Sequence, residues 1–175
     1  MTYKIPQGVQ VSLDYNSSTG EGTWYKLSDH NRQPIGITYN LIEATDRMAN
    51  GTLRKYIVAR KFVITADWKD FPTLDSNLVD YSSGAKAGAW IKAFYEGNAF
   101  QPVYLKLIFA QEGSVKNSIP DGNYSDSKTT NGQIFTAYMT TFTYNITKRR
   151  TGSLVNGVSS PGYDYVDLKI EFTEI

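Results

Sequence analysis

Apolar and polar residues alternate along most of the chain, and the longest alternation runs from Tyr56 to Trp68. A period of two with aromatic and β-branched residues on one side predicts a half-buried strand. Arg60 interrupts the apolar positions, which indicates a turn or bulge at residues 59–61 that would split the run into two strands. Residues 35–44 alternate as well, and Asn50-Gly51 suits the positive φ of a tight turn, so these segments predict an antiparallel hairpin.

Shorter alternations predict the remaining strands at residues 8–15, 24–27, 103–110, 133–148 and 163–175. Apolar residues three and four positions apart predict one α-helix at residues 84–96, with Ser82 or Ser83 as N-cap and Gly97-Asn98 as its end. A stretch rich in Gly, Ser, Asn and Asp, residues 111–132, predicts a long loop. The expected fold is mainly β: an antiparallel β-sandwich or flattened barrel with one packed helix.

The chain divides into two parts by this pattern. Residues 1–34 predict an N-terminal strand, a short second strand and two loops, or alternatively an arm that packs on a neighbouring subunit. Residues 35–175 predict the sandwich or barrel domain, which carries the 111–132 loop. A chain of 175 residues is long enough to bury a core of its own.

Composition excludes several classes of function. Lys and Arg number 18 against 17 Asp and Glu, so the net charge of +1 does not support a general nucleic-acid or membrane-surface binder. No apolar run approaches the roughly 18 residues of a membrane-spanning helix, and residues 1–6 lack the apolar segment of a signal peptide. The chain has no Cys, so no disulfide, thiol nucleophile or thiolate metal site is available.

The sequence offers few groups for catalysis. Its one His, His30, stands next to Asp29 in a polar loop, and neighbouring side chains usually point apart, so we interpret it as a surface residue. One His cannot lead a zinc site. Asp67 and Asp70, or Glu96, are the candidates for a carboxylate-pair hydrolase. The turn at residues 121–126 lacks the Gly and distal Glu of an EF-hand, so we interpret it as a solvated turn. From these candidates together we expect no enzyme, metal or cofactor.

A likeness to one group of known proteins lies in the middle of the chain. Asn31-Arg32, Arg47–Thr52, Arg54–Tyr56, Trp68 and Phe71-Pro72 together resemble small virion structural proteins of tailed bacteriophages, above all the tail-tube and minor-tail group. This resemblance implies hexameric rings that stack into a tube in the virion tail. Sheets of adjacent subunits would join into one barrel around a lumen that conducts DNA during genome ejection. It also implies synthesis in the host cytoplasm, other tail proteins as partners and no membrane.

The polar strand faces are the candidate assembly and lumen surfaces. Strands 103–110 and 133–148 are the predicted lumen wall, and the 111–132 loop is the predicted contact to the next ring. The Lys148–Arg150 cluster could contact phosphate or form salt bridges across a subunit interface. The candidate inter-subunit and lumen residues are Lys116, Asp121, Asn123, Lys128, Thr141, Thr143, Arg149 and Arg150.

Two other functions stay open at this point. One is a different part of the same machine, such as a tail-terminator, distal-tail or capsid-decoration protein. The other is a carbohydrate-binding β-sandwich, which predicts a monomer with an aromatic groove formed by Trp24, Tyr25 and Tyr163.

Overall fold

The computed structural model describes residues 6–109, 124–125, 132–155, 158–160 and 162–175. Within them lie one α-helix, α1 (Gly88–Asn98), and two single-turn 3₁₀ helices, Asp75–Asn77 and Tyr81–Ser83. The strands are β1 (Pro6–Ser12), β2 (Tyr25–Leu27), β3 (Gly36–Arg47), β4 (Leu53–Pro72), β5 (Val103–Phe109), β6 (Tyr124–Ser125), β7 (Gly132–Arg150), β8 (Ser153–Val155), β9 (Val158–Ser160) and β10 (Tyr163–Glu174).

Seven strands form one antiparallel sheet in the order β2-β1-β5-β7-β10-β4-β3, and β6 pairs with the start of β7. Strands β8 and β9 form a separate small hairpin. The prediction of a mainly antiparallel β fold with one helix is therefore confirmed. The sheet is not closed into a barrel, so of the two predicted architectures the sandwich-like one fits.

The sheet folds over so that its two ends share one hydrophobic core. The Trp68 indole Nε1 on β4 donates a hydrogen bond of 2.7 Å to the carbonyl of Ser28, which follows β2. Phe62 of β4 and Phe135 of β7 meet edge to face at 5.2 Å. Strands β1 and β2 are thus part of the domain core, and the arm function of residues 1–34 stays a prediction. The fully buried residues of these two ends include Val9, Val11, Leu27, Ile64, Ala66 and Trp68.

The β3–β4 hairpin forms as predicted but without a break in β4. Gly51 has φ +82°, and its N–H donates to the Met48 carbonyl at 2.8 Å. A bulge lies at Val58, because Ile42 of β3 pairs with Ala59 and Glu43 of β3 pairs with Ile57, which leaves Val58 without a partner in β3. The split at residues 59–61 was wrong, because continuous pairing with β3 holds β4 together on both sides of the bulge.

Helix α1 begins four residues later than predicted, and the predicted serine caps were wrong. Ser82 and Ser83 lie in a 3₁₀ turn that ends at Gly84 in the left-handed conformation. Lys86 then forms a parallel bridge with Leu27 of β2, which keeps this segment extended. The helix N-cap, Ala87, has no side-chain cap; its own N–H donates to a carboxylate oxygen of Asp75 at 2.7 Å.

Candidate assembly surface

The longest exposed segment among the described residues is the hairpin arm, which we define as residues 38–61. Strand β10 pairs with β4 only from Val63 onward, so the earlier half of β4 is bonded to β3 alone. All side chains of the arm are exposed except those of Ala59 and Lys61, which are half-buried. At the base, Phe62 N–H donates to Glu174 Oε2 at 3.0 Å. An isolated two-stranded ribbon is marginally stable in water, so the arm is a weakly supported part of the sheet.

Both faces of the hairpin arm carry apolar side chains. Directly paired residues share a face of a sheet. Tyr39 and Leu41 therefore lie on the face of buried Phe62, and Ile42 lies on the opposite face. Clusters of exposed apolar side chains are typical of interaction sites, so the arm is a candidate contact surface. The exposed apolar residues of the arm are Tyr39, Leu41, Ile42, Met48, Leu53, Tyr56, Ile57 and Val58, with Val58 75% exposed.

The hairpin arm is also the basic part of the chain. It contains five of the 18 Lys and Arg residues but only two of the 17 Asp and Glu residues. Lys55 forms an ion pair of 2.5 Å with Glu43, and the Arg60 guanidinium lies 5.6 Å from the centre of the Tyr39 ring. Since the chain as a whole is almost neutral, the remainder is slightly acidic.

Strands β4, β10 and β7 carry a polar face opposite the core, which we call the polar face. Asp67 of β4 pairs with Lys169 of β10, and Lys169 pairs with Thr143 of β7. Acidic, basic and hydroxyl groups therefore alternate across three strands. Thr141 and Thr143 are exposed on this face, where the alternation of β7 predicted a Thr-rich side. The N–H of Asp70 and the Lys69 ammonium donate to Asp167 and lower the pKa of this carboxyl.

Strand β5 does not share the polar character predicted for residues 103–110. Val103, Leu105 and Leu107 are completely buried on one side. On the other side Lys106 is only 8% exposed, and its ammonium lies 5.0 Å from the Trp24 ring. Burial lowers the pKa of Lys106. The side chains described for β5 thus offer no open polar surface, whereas the second half of β7 does.

Three strands have an open edge among the described residues, and one of them is β4, which pairs with β3 alone up to Phe62. Strand β3 pairs only with β4, so its outer edge is unpaired along its length. Strand β5 pairs with β7 only up to Ala137, so β7 from Tyr138 to Arg150 is bonded to β10 alone. The edge of the short strand β2 is not open in this way, because Lys86 forms a β-bridge with Leu27. Open edges present unpaired N–H and carbonyl groups that can bind another strand.

The basic cluster at the end of β7 has intrachain partners. Lys148 lies 3.1 Å from Asp70, and Arg149 Nε lies 2.9 Å from a carboxylate oxygen of Asp164. Arg150 donates to the Tyr163 hydroxyl at 3.1 Å. All three basic side chains are exposed, so these pairs are in water and leave the cluster accessible.

Four of the eight predicted inter-subunit and lumen residues lie outside the described residues: Lys116, Asp121, Asn123 and Lys128. The same applies to most of the 111–132 loop and to the turn at residues 121–126, apart from Tyr124–Ser125 of β6. The structure places Thr141 and Thr143 on the polar face and puts Arg149 and Arg150 at the far end of the same strand.

Asp67 and Asp70 both lie near the end of β4, whereas the other candidate catalytic groups, His30 and Glu96, lie in separate parts of the fold. His30 Nδ1 accepts the N–H of Val79 at 3.1 Å, which fixes a loop. Glu96 is paired with Lys92 on α1 at 2.7 Å. No group of three or more His, Asp or Glu side chains able to hold a metal occurs in the part of the chain that is described. That the protein is not an enzyme stays a prediction.

The three aromatic residues of the carbohydrate-binding hypothesis each pack on a different aromatic ring. Trp24 packs on Tyr15 at 5.3 Å, Tyr25 on Trp90 at 5.0 Å, and Tyr163 on Tyr165 at 5.2 Å. Trp24 and Tyr25 are neighbours in the chain at β2 but pack on different rings, whereas Tyr163 begins β10. No ring contact joins the three residues in the part of the chain that is described.

Sequence reasoning predicted residues 133–148 as an assembly surface, but it did not predict that the hairpin arm extends beyond the sheet or that the second half of β7 has an open edge. The arm could have been found from residues 56–59, where consecutive positions are all apolar. Such a run predicts a strand that is covered on both faces. The open edge of β7 depends on where β5 ends beside it, which no local pattern records.

No family model matches this chain, and no curated protein matches it in sequence. None of the described helices is long and apolar enough to cross a membrane.

Proposed function

We propose that this chain is a structural virion protein of a tailed phage, a tail-tube subunit that forms stacked rings, of six subunits as the resemblance implies. The supporting observation is the hairpin arm, whose two apolar faces and free edge are uncovered in a single subunit. A domain with its own complete core has no need of such an arm unless another molecule covers it.

The polar face fits the lumen of such a tube. It carries threonines and alternating Asp and Lys residues, so it stays hydrated, and the basic residues Lys148 and Arg149 at the far end of β7 are each paired with a carboxylate. DNA would pass along it during ejection. The subunit would then be made in the host cytoplasm, reside in the virion tail and contact other tail proteins.

A related ring of the tail is the second candidate. The same arm and edges serve a terminator or distal-tail ring, which closes but does not stack. Particle length distinguishes the two, because a tube subunit gives particles of many rings and a terminator gives single rings.

The proposal is tested by light scattering of the purified protein against concentration. Ile57 and Val58 are 59% and 75% exposed, so Ile57→Ser/Val58→Ser leaves the core intact. Burying each side chain on assembly is worth roughly 1.5–3 kcal/mol, so we expect the double variant to need more than about tenfold higher concentration to assemble.

The matched control is Val79→Ser, at an 80% exposed position away from the arm. It should assemble as the wild type does. A strictly monomeric wild-type protein at high concentration, or equal assembly of the double variant and the wild type, would contradict the proposal.

A further inference from the structure

We propose that Asn50, at the tip of the hairpin arm, is a site of spontaneous modification. Its side-chain amide is lost as ammonia in the folded protein, and aspartate or isoaspartate takes the place of the asparagine. This inference does not rest on the proposed function, because it follows from the chemistry of the turn alone.

The reaction is a cyclisation followed by a hydrolysis. The backbone nitrogen of Gly51 attacks Cγ of Asn50 and gives up its proton, while the side-chain nitrogen Nδ2 takes up a proton and leaves as ammonia. The product is a five-membered succinimide ring. Water then adds to one of the two ring carbonyls and opens the ring, which gives aspartate or isoaspartate without any oxidation or reduction.

The nucleophilic nitrogen is unusually accessible at this turn. Gly51 has no side chain to shield its nitrogen, and a Cβ built at this position would meet nothing within 4 Å. Asn50 and Gly51 are both exposed, so water reaches the ring once it has formed. Because the nitrogen and Cγ belong to adjacent residues, their encounter is intramolecular and carries a small entropic cost.

The hydrogen bonds of the turn also prepare the electrophile. The N–H of Thr52 donates to Asn50 Oδ1 at 3.1 Å. Oδ1 is the atom that gains negative charge when the nitrogen of Gly51 adds to Cγ. A backbone N–H that already points at this oxygen therefore stabilises the charge as an oxyanion-hole donor does.

Two backbone hydrogen bonds restrain the nucleophile. The N–H of Gly51 donates to the Met48 carbonyl at 2.8 Å, and the N–H of Met48 donates to the Thr52 carbonyl at 3.0 Å. Both bonds lie at the exposed tip of a two-stranded ribbon, where local opening costs little free energy. The closed turn therefore slows the reaction but does not prevent it.

Two other exposed asparagines serve as internal references. Asn40 lies on the same arm, but it is held in the ladder opposite Lys61 and is followed by Leu41. Asn145 lies on β7 and is followed by a branched isoleucine. A bulky following side chain obstructs the approach of the backbone nitrogen, so we expect both residues to keep their amides.

The chain contains two further Asn-Gly pairs, at residues 131–132 and 156–157. The asparagines of both pairs lie outside the described residues. The inference therefore concerns Asn50 alone, and the experiment must assign each product to its own position in the chain.

The modification changes the arm in two ways. It adds a carboxylate to the tip of an arm that has five basic and only two acidic residues. In isoaspartate the main chain also runs through the former side chain, which adds one carbon to the backbone before Gly51. The paired hydrogen bonds of Met48 with Gly51 and Thr52 then no longer fit the turn.

Peptide mapping by mass spectrometry of the purified protein during storage at pH 8 tests the inference. We expect the peptide that contains Asn50 to gain the mass difference between an amide and a carboxylic acid. The rate should lie within about tenfold of the rate in the same protein unfolded in urea, because only opening of the turn separates the two states. Electron-transfer fragmentation distinguishes isoaspartate from aspartate.

The matched control is Asn50→Gln, which keeps the amide but would have to form a six-membered ring. It should show no change at position 50 over the same period. Asn50→Asp provides the reference for the aspartate product, and its carboxylate can still accept the N–H of Thr52.

Conversion of Asn50 in urea but not in the folded protein would overturn the inference. Conversion of Asn40 or Asn145 at the same rate as Asn50 in the folded protein would also overturn it, because the turn would then have no part in the reaction. Ring formation is tested separately by electron microscopy and stands or falls independently of these results.

Discussion

Trp68→Phe tests the way in which the sheet folds over onto itself. Trp68 is 1% exposed, and its indole N–H is the link from β4 to the Ser28 carbonyl at the end of β2. Phenylalanine fills most of the same site but cannot donate a hydrogen bond. Ser28 is fully buried, so its carbonyl would lose this donor where the described groups offer no replacement.

The expected loss has two parts. A buried group left without its hydrogen bond costs about 1–3 kcal/mol, and the smaller ring leaves a cavity that costs about 1 kcal/mol more. The free energy of unfolding should therefore fall by about 2–4 kcal/mol. For a chain of this size that lowers the Tm by roughly 5–15 °C.

Urea unfolding followed by far-ultraviolet circular dichroism measures the effect without relying on tryptophan fluorescence. The matched control is Trp90→Phe, because Trp90 is half-buried and stacks on Phe94 at 4.9 Å, a contact that phenylalanine keeps. We expect the control to lose less than about 1 kcal/mol. Equal losses in the two variants would refute the claim that Trp68 joins the two ends of the sheet.

Three further predictions test the local structure. Burial alone would raise the pKa of Asp80, but hydrogen bonds from Ser28, the Asp29 N–H and Lys26 lower it. The stability that this carboxylate contributes is therefore present above the ordinary Asp pKa. It is lost as the pH falls through the lowered pKa. Urea titrations from pH 7 to pH 3 should show a steeper loss for the wild type than for Asp80→Asn. Asp70 has φ +46°, so Asp70→Ala should be less stable than Asp70→Gly by roughly 1 kcal/mol in thermal unfolding, and the reverse order would contradict left-handed strain there. A Cβ at position 22 would lie 2.8 Å from the Tyr15 Cα, whereas one at position 97 of α1 would meet nothing within 4 Å. Gly22→Ala should therefore lower the Tm while Gly97→Ala raises stability by roughly 0.5–1 kcal/mol, and similar Tm values for both would refute the close approach.

Local patterns predicted the strands and the helix because each is set by neighbouring residues. The alternation from Phe62 to Trp68 corresponds to fully buried positions at every second residue of β4. Asn50-Gly51 predicted the hairpin turn because the turn needs a positive φ at the glycine. The helix end near Asn98 was predicted as well, and its side-chain amide donates to the Phe94 carbonyl at 2.8 Å.

Contacts between distant segments could not be predicted in this way. The predicted helix start was wrong because Lys86 pairs with β2, about 60 residues earlier in the chain. The buried lysine on β5 was missed because the Trp24 ring that covers it comes from another loop. The candidate assembly surface depends on the same kind of information, since an edge is open only where a neighbouring strand ends.

Negative-stain electron microscopy of the purified wild-type protein at high concentration tests the central claim most directly. The account predicts rings, or tubes made of stacked rings, with a hollow centre, and it predicts that Ile57→Ser/Val58→Ser abolishes them at the same concentration. Dispersed single particles of about 20 kDa in both samples would contradict it.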